Sequence, residues 1–98
     1  MTFQDRYDFD ALVNEAERLV IEELERQLGA PEKAGVCTCQ DCIVDMAACA
    51  LNAVKPVYRV TLLGRMYAKS MDESEYEESV RDAVKVAIEK ISKNPAHD

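Results

Sequence analysis

The residues of this sequence best suited to chemistry are three closely spaced cysteines. Cys37, Cys39 and Cys42 form a C-x-C-x2-C pattern, and Cys49 follows seven residues later. Structural zinc ions are held by four thiolate or imidazole ligands, and three cysteines at the start of a helix supply most of such a set. Because thiols stay reduced in the cytosol, the pattern favours metal binding over disulfides. It therefore predicts a structural zinc site.

The spacing leaves the fourth metal ligand open. If the helix that follows already includes Cys42, the Cα atoms of Cys42 and Cys49 lie roughly 10 Å apart, near the limit for two ligands of one ion. Cys49 can therefore join the site only if the helix begins after Cys42. Otherwise the fourth position falls to Asp45, to a water, to His97 or to the neighbouring subunit, and Cys49 is a small core residue.

Other interpretations of the cysteines remain open. Cys39-x-x-Cys42 could be a redox dithiol at a helix N-terminus, where the helix dipole makes a thiol more acidic. Thioredoxin-like motifs follow a strand in a βαβ pattern, however, and the sequence shows no such pattern. Close cysteines can also hold an iron–sulfur cluster. Alternatively, all four are reduced thiols buried in a small core.

Length and charge narrow the class of protein. With 98 residues there is room for one domain, with residues 1–8 and 94–98 expected as flexible ends. The net charge of -7 argues against nucleic-acid binding. No run approaches the ~18 apolar residues of a membrane span and no signal peptide is visible, so we expect a cytoplasmic protein. Without a glycine-rich phosphate loop or a Ser/His/Asp set, we expect that it is not an enzyme.

Hydrophobic periodicity predicts a first amphipathic helix over residues 9–28. Asp8 is the expected N-cap, with Tyr7 and Leu12 spaced as a hydrophobic staple. Gly29, soon followed by a proline, is the expected stop.

The second predicted helix runs from residue 41 or 42 to residue 54 and is apolar almost all the way round, so it should lie at the centre of the fold. Its polar or soft side chains fall on one stripe, which is either a functional face or merely the least buried edge. The stripe consists of Cys42, Asp45, Cys49 and Asn52.

A third helix is predicted over residues 72–92.

One extended segment follows the second helix. Residues 57–63 are rich in β-branched and aromatic side chains and end at Gly64. The sequence shows no second strand, and a lone strand leaves its backbone groups unpaired. We therefore expect this segment either to pair with its two-fold copy in a symmetric homodimer or to be an irregular connection. The predicted fold is mainly α, a small domain of three main helices with one short extended segment.

Several short motifs together resemble those of the late competence protein ComFB family, over about the first two thirds of the chain. They are Asn14-Glu15 with Leu19-Val20, the run C-T-C-Q-D-C-I-V-D from Cys37 to Asp45, the run A-L-N-A-V-K-P-V-Y from Ala50 to Tyr58, and Gly64. The resemblance implies a mostly helical homodimer, a zinc site built by the cysteines and an association with natural competence. It also implies a signalling role, because relatives that lack the cysteines are receptors for cyclic di-GMP.

Binding a cyclic dinucleotide would need cations for two phosphates, a carboxylate or amide for the guanine edges and aromatic surfaces for stacking. The sequence offers such groups close together, and the candidate ligand residues are Asp45, Asn52, Tyr58, Arg59 and Arg65, with Lys55 and Tyr67 nearby. Alternatively, the arginines pair with surface carboxylates and Tyr58 packs in a dimer core.

Two hypotheses follow from these observations. The first is a zinc-stabilised dimer that binds cyclic di-GMP and passes the signal to a protein partner. The second is a plain interaction module of the competence machinery, with no nucleotide ligand, that offers its acidic faces to an unknown protein partner.

Overall fold

The computed structural model describes residues 1–60 and 73–95, which contain three long helices, one short helix, a 3-10 turn and a two-stranded ribbon. The predictions made for residues 61–63 of the extended segment and for Gly64, Arg65, Tyr67 and His97 lie outside those residues. In chain order the elements are α1 (Phe3–Arg6), β1 (Val13–Asn14), α2 (Glu15–Leu28), a 3-10 turn (Pro31–Lys33), α3 (Gln40–Leu51), β2 (Tyr58–Arg59) and α4 (Glu73–Lys93). The predicted mainly helical fold is confirmed.

Helix α2 confirms the first predicted helix but not its predicted start. The helix begins six residues later than expected, with Asn14 as its N-cap instead of Asp8. Asp8 instead closes a local turn, accepting a hydrogen bond from the Asp10 amide at 2.8 Å. Leu12, which was expected to form a hydrophobic staple with Tyr7, is exposed because it precedes the helix. The predicted stop at Gly29 is confirmed, since this residue is the C-cap.

Helix α3 confirms the second predicted helix, and it packs against both α2 and α4 as a central helix should. It ends at Leu51, three residues before the predicted end. The predicted polar stripe is not its outward edge. Cys42 is buried with Met46 and Ala50, because residues spaced by four share the face that meets the core.

Helix α4 confirms the third predicted helix and ends one residue after the predicted end, while the predicted start at residue 72 lies outside the described residues. Its buried side chains pack with those of α2 and α3 in a single core, as their spacing of three and four predicts. The fully or nearly fully buried members of that core are Ala16, Val20, Leu24, Cys42, Met46, Ala50, Val54, Val80, Ala83, Val84, Ala87 and Ile88.

The extended segment after α3 finds its partner within the same chain. β2 pairs antiparallel with β1, with Val13 opposite Arg59 and Asn14 opposite Tyr58. The prediction that no second strand exists is therefore wrong, because residues 13–14 had been assigned to the first helix. The ribbon joins the start of α2 to the segment after α3, and a bond of 2.7 Å from the Glu15 amide to the Val57 carbonyl extends it.

None of the helices in the described ranges has the length and apolar character needed to cross a membrane.

Candidate metal centre

The structure brings the three clustered cysteines together. The sulfur atoms of Cys37, Cys39 and Cys42 all lie within 4.8 Å of one another. Cys42 is buried, Cys37 is half-buried and Cys39 is exposed, so the cluster lies at the edge of the core with one side toward solvent. The structure forms no disulfide among the four cysteines, all of which belong to the described part of the chain.

Two elements hold these thiols in place. Cys42 lies in the first turn of α3 and is fixed by its burial in the core. Cys39 is the N-cap of the same helix, where its sulfur accepts a hydrogen bond from the Cys42 amide at 3.5 Å. Cys37 follows a chain of tight turns, the last of which is closed by a bond of 3.0 Å from the Val36 amide to the Lys33 carbonyl.

Two of the three clustered thiols lie at the N-terminus of a helix. The amide groups in the first turn of a helix carry a partial positive charge that stabilises nearby anions. Cys39 and Cys42 both lie at the start of α3, and the sulfur of Cys39 already accepts one of these amides. The thiolate is the form of cysteine that binds metal, and the amide bonded to Cys39 is a donor whose hydrogen bond such an anion can accept.

The donor set fits a zinc ion. A tetrahedral site with Zn–S bonds of about 2.3 Å places its sulfurs roughly 3.8 Å apart. The three sulfurs of the cluster, within 4.8 Å of one another, need only small side-chain rotations to reach that spacing. Cys37, Cys39 and Cys42 would hold the ion, and soft thiolate donors suit zinc among the common metals.

Cys49 lies outside this group of sulfurs. Helix α3 starts at Gln40 and so already includes Cys42, which is the case in which the spacing keeps Cys49 about 10 Å along the helix. Asp45, half-buried on the same helix, is also not part of the group. The identity of the fourth ligand stays a prediction, and His97 belongs to the residues that are not described.

Comparison with known proteins identifies the family of this chain. The family model of the late competence development protein ComFB matches residues 13–95. The chain belongs to the ComFB family. Its structure is similar to that of the late competence protein ComFB from Bacillus subtilis, with a TM-score of 0.66 and 26% sequence identity over 87% of this chain and 92% of that one. No curated protein matches the sequence.

The residues of this ComFB protein that are predicted to bind a nucleotide differ from one another in their surroundings. Tyr58 is 62% exposed and its ring is available for stacking. Arg59 is half-buried, and its Nε donates a hydrogen bond to the carboxylate of Glu15. On α3, Asp45 is half-buried and Asn52 is the exposed C-cap, while Arg65 lies outside the described residues. One of the predicted cations is therefore engaged in an ion pair within the protein.

Glu15 is the charged residue whose role the sequence did not reveal. Its carboxylate is buried and accepts hydrogen bonds from Arg59 and, at 3.1 Å, from Arg18. These bonds, from Arg59 first and Arg18 second, hold the pKa of Glu15 below its usual range. Glu15 and Arg59 are 44 residues apart, so only the tertiary structure shows the pair.

Asn14, beside it, joins two segments with one oxygen. Its Oδ1 accepts hydrogen bonds from the Ala16 amide at 3.2 Å and from the Val57 amide at 2.7 Å. The sequence did contain one signal that Asn14 and Glu15 matter, because they form one of the motifs that resemble the ComFB family. They attach the chain after α3 to the start of α2.

Proposed function

We propose that this protein is a non-enzymatic ComFB-type adaptor in which Cys37, Cys39 and Cys42 hold a structural zinc ion. The observation that carries the proposal is the approach of the three sulfurs to within 4.8 Å at the start of α3. An all-thiolate set is typical of structural zinc sites, whereas catalytic sites generally keep an open position for water or substrate.

The ion would act as a cross-link between the loop and the core. Cys42 is anchored in the core, whereas Cys39 is exposed and Cys37 follows a loop of turns. Zinc supplies strong bonds between these parts, and in a chain of 98 residues with a thin core such bonds contribute directly to folding.

Metal content and stability test the proposal together. We expect about one zinc per chain, and we expect a strong chelator or Cys39→Ser to remove the metal and to lower the free energy of unfolding by several kcal/mol, on the order expected when folding and metal binding are coupled. Thr38→Ala is the matched control, because Thr38 is exposed in the same loop and offers no thiolate. An unchanged thermal midpoint after metal removal would contradict a structural ion.

Cys49→Ser addresses the fourth ligand. If Cys49 completes the site, this variant loses zinc affinity as Cys39→Ser does. If another group completes the site, the variant keeps its zinc and pays only the small cost of changing a half-buried thiol.

Cyclic di-GMP binding is a second candidate function, favoured by the exposed ring of Tyr58 and by the arginine that follows it on β2. In this proposal the ring stacks on a guanine and Arg59 binds a phosphate, at the centre of a homodimer that passes the signal to a protein of the competence machinery. Glu15 already occupies Arg59, so a phosphate must compete with that carboxylate.

Calorimetric titration with cyclic di-GMP, and with another cyclic dinucleotide as the control ligand, tests this candidate. We expect saturable binding that Tyr58→Ala weakens, because the variant lacks the stacking ring. Since the change leaves the ion pair of Arg59 intact, the weaker binding can be attributed to the ring. Glu15→Gln should tighten binding, since it removes the competing charge but keeps Arg59. No heat from the folded, zinc-loaded protein would leave the interaction module without a nucleotide ligand as the function.

A further inference from the structure

Cys39 and Cys42 form a pair whose two members differ in their access to solvent. Cys39 is exposed, whereas Cys42 is only 1% exposed and packs in the core. A reagent in solution therefore reaches the sulfur of Cys39 and is kept from that of Cys42. An accessible thiol with a second thiol close behind it is the arrangement of a redox-active pair, in which the second thiol resolves an adduct formed on the first.

The two sulfurs of this pair are close enough to bond after a small movement. They lie within 4.8 Å of each other, and a disulfide requires about 2.05 Å, so they must approach by less than about 3 Å. The Cys39 sulfur accepts the Cys42 amide at 3.5 Å and so already lies against the first turn of α3. Because Cys42 is held by the core and Cys39 is the N-cap, the exposed residue at the helix end can make this movement.

The other two cysteines are less accessible. Cys37 and Cys49 are both half-buried, and Cys49 also lies outside the group of close sulfurs. All four cysteines belong to the described part of the chain, and among them Cys39 alone is exposed. The structure therefore distinguishes one entry point for a reagent that attacks thiols.

We propose that Cys39 is the site at which a low-molecular-weight disulfide modifies this protein, and that Cys42 resolves the adduct, so that the chain exchanges its zinc for an internal disulfide. The proposal rests on the zinc site of the proposed function and adds to it the condition under which the metal leaves. A thiol bound to zinc is deprotonated, and the thiolate is the form that attacks a disulfide. Cys39 is thus in the reactive form whenever the metal is bound.

The reaction balances over two steps. The Cys39 thiolate attacks one sulfur of the small disulfide, which gives a mixed disulfide and expels one small thiolate. The Cys42 thiolate then attacks the Cys39 sulfur, which gives the Cys39–Cys42 disulfide and expels the second small thiolate. The two cysteines together lose two electrons, and the small disulfide gains them. Zinc has no redox chemistry of its own and leaves as Zn²⁺.

The disulfide removes the ligands that connect the metal to the core. A disulfide sulfur carries no negative charge, so Cys37 is the one member of the cluster that still offers a thiolate to the ion. Cys37 lies in the loop, whereas Cys42 is the ligand held by the core. Oxidation therefore ends the attachment of the loop at Cys37, and reduction of the disulfide restores it.

Oxidised glutathione added to the full-length, zinc-loaded protein tests the proposal. A chromogenic chelator measures the released zinc, and peptide mass spectrometry identifies the disulfide. We expect one zinc to be released for each Cys39–Cys42 disulfide that forms, and we expect dithiothreitol followed by zinc to restore the starting state. Reduced glutathione is the matched control, because it has the same chemical groups but cannot accept electrons from a thiolate. It should produce no disulfide.

The variant Cys42→Ala separates the two steps. It keeps Cys39 but lacks the resolving thiol, so the mixed disulfide with glutathione should accumulate on Cys39. Helical circular dichroism shows whether this variant folds. If it does not, mapping of the unchanged chain decides the question, because the Cys39–Cys42 disulfide is identified there without any substitution.

Zinc content measured before the oxidant is added distinguishes two failures. A protein that never binds zinc refutes the metal site of the proposed function, and the exchange of metal for disulfide fails with it. A zinc-loaded protein that keeps both its metal and its thiols in oxidised glutathione refutes the exchange alone. A disulfide that forms in the unchanged chain without Cys39 or without Cys42 would overturn the assignment of this pair.

Discussion

Asn14 offers the sharpest test of how the fold is held together. Its Oδ1 accepts the amide of Ala16, which caps α2, and the amide of Val57, which attaches the chain after α3. Replacing an N-cap asparagine by alanine costs about 1 kcal/mol. The Val57 amide belongs to a residue that is only 8% exposed, and leaving it without an acceptor costs about 1–3 kcal/mol. We therefore expect Asn14→Ala to lower the free energy of unfolding by about 2–4 kcal/mol.

Urea unfolding of the zinc-loaded protein measures this loss as a lower midpoint at an unchanged slope. Asn14→Asp is the matched variant, because it keeps an acceptor oxygen at the cap, and we expect it to lose less than about 1 kcal/mol. Asn52→Ala serves as the second control, since Asn52 is an exposed asparagine that caps the C-terminus of α3. It should change stability by no more than about 0.5 kcal/mol.

A loss of less than about 0.5 kcal/mol in Asn14→Ala would refute the reasoning, because it would mean that the Val57 amide does not depend on this oxygen. If Asn14→Asp were as damaging as Asn14→Ala, the amide nitrogen of Asn14 would be the important group instead of its oxygen.

Three further predictions follow from other contacts. Because its bonds to arginine lower the pKa of Glu15 from the usual 4.5, the charged form stabilises the fold above that pH, and this contribution is lost as the pH falls through the lower folded pKa. The difference in unfolding free energy between the unchanged chain and Glu15→Gln, measured from pH 7 to pH 3, should therefore shrink in acid, and a constant difference would contradict it. Tyr76→Phe removes a 2.7 Å bond to the Lys55 carbonyl and should cost about 1 kcal/mol. Burial raises the pKa of Tyr76, so the stability difference between the unchanged chain and Tyr76→Phe should disappear in strong alkali, where the folded tyrosine loses its proton. Thermal melts of both proteins at pH 7 and above pH 10 test this. Met46→Ala should cost about 2–5 kcal/mol in urea unfolding, because Met46 is fully buried, whereas a loss below 1 kcal/mol would mean that the core closes around the gap.

The three long helices could be predicted because their apolar residues recur at helical spacing. The start of α2 could not, since Asp8 and Asn14 are both good caps and only the contact with Val57 selects Asn14. The ribbon was missed for a related reason. Strands of two residues carry no periodicity, and their pairing joins positions that are more than forty residues apart.

The cluster of three cysteines was predictable because its ligands are close in sequence, so local geometry nearly determines it. Cys49 was harder, because its role depends on whether the helix begins before or after Cys42, and element boundaries are what sequence reasoning places least well. The ion pair of Glu15 with Arg59 was beyond reach, since nothing local links a carboxylate at the start of one helix to a guanidinium after another.

The polar contacts described above lie mainly on the two segments that flank α3, and they fix those segments to the rest of the fold. Before the helix, the Cys39 sulfur accepts the Cys42 amide, and the proposed zinc ion would attach the loop that ends at Cys39. After the helix, Asn14 and Glu15 of the α2 terminus and Tyr76 of α4 bind the segment from Lys55 to Arg59. The core packs α3 through apolar side chains, and such non-directional contacts stabilise the helix without orienting the loops beside it. Those loops carry the cysteines and the tyrosine of the proposed sites, so the directional bonds that fix them connect the fold to its proposed function.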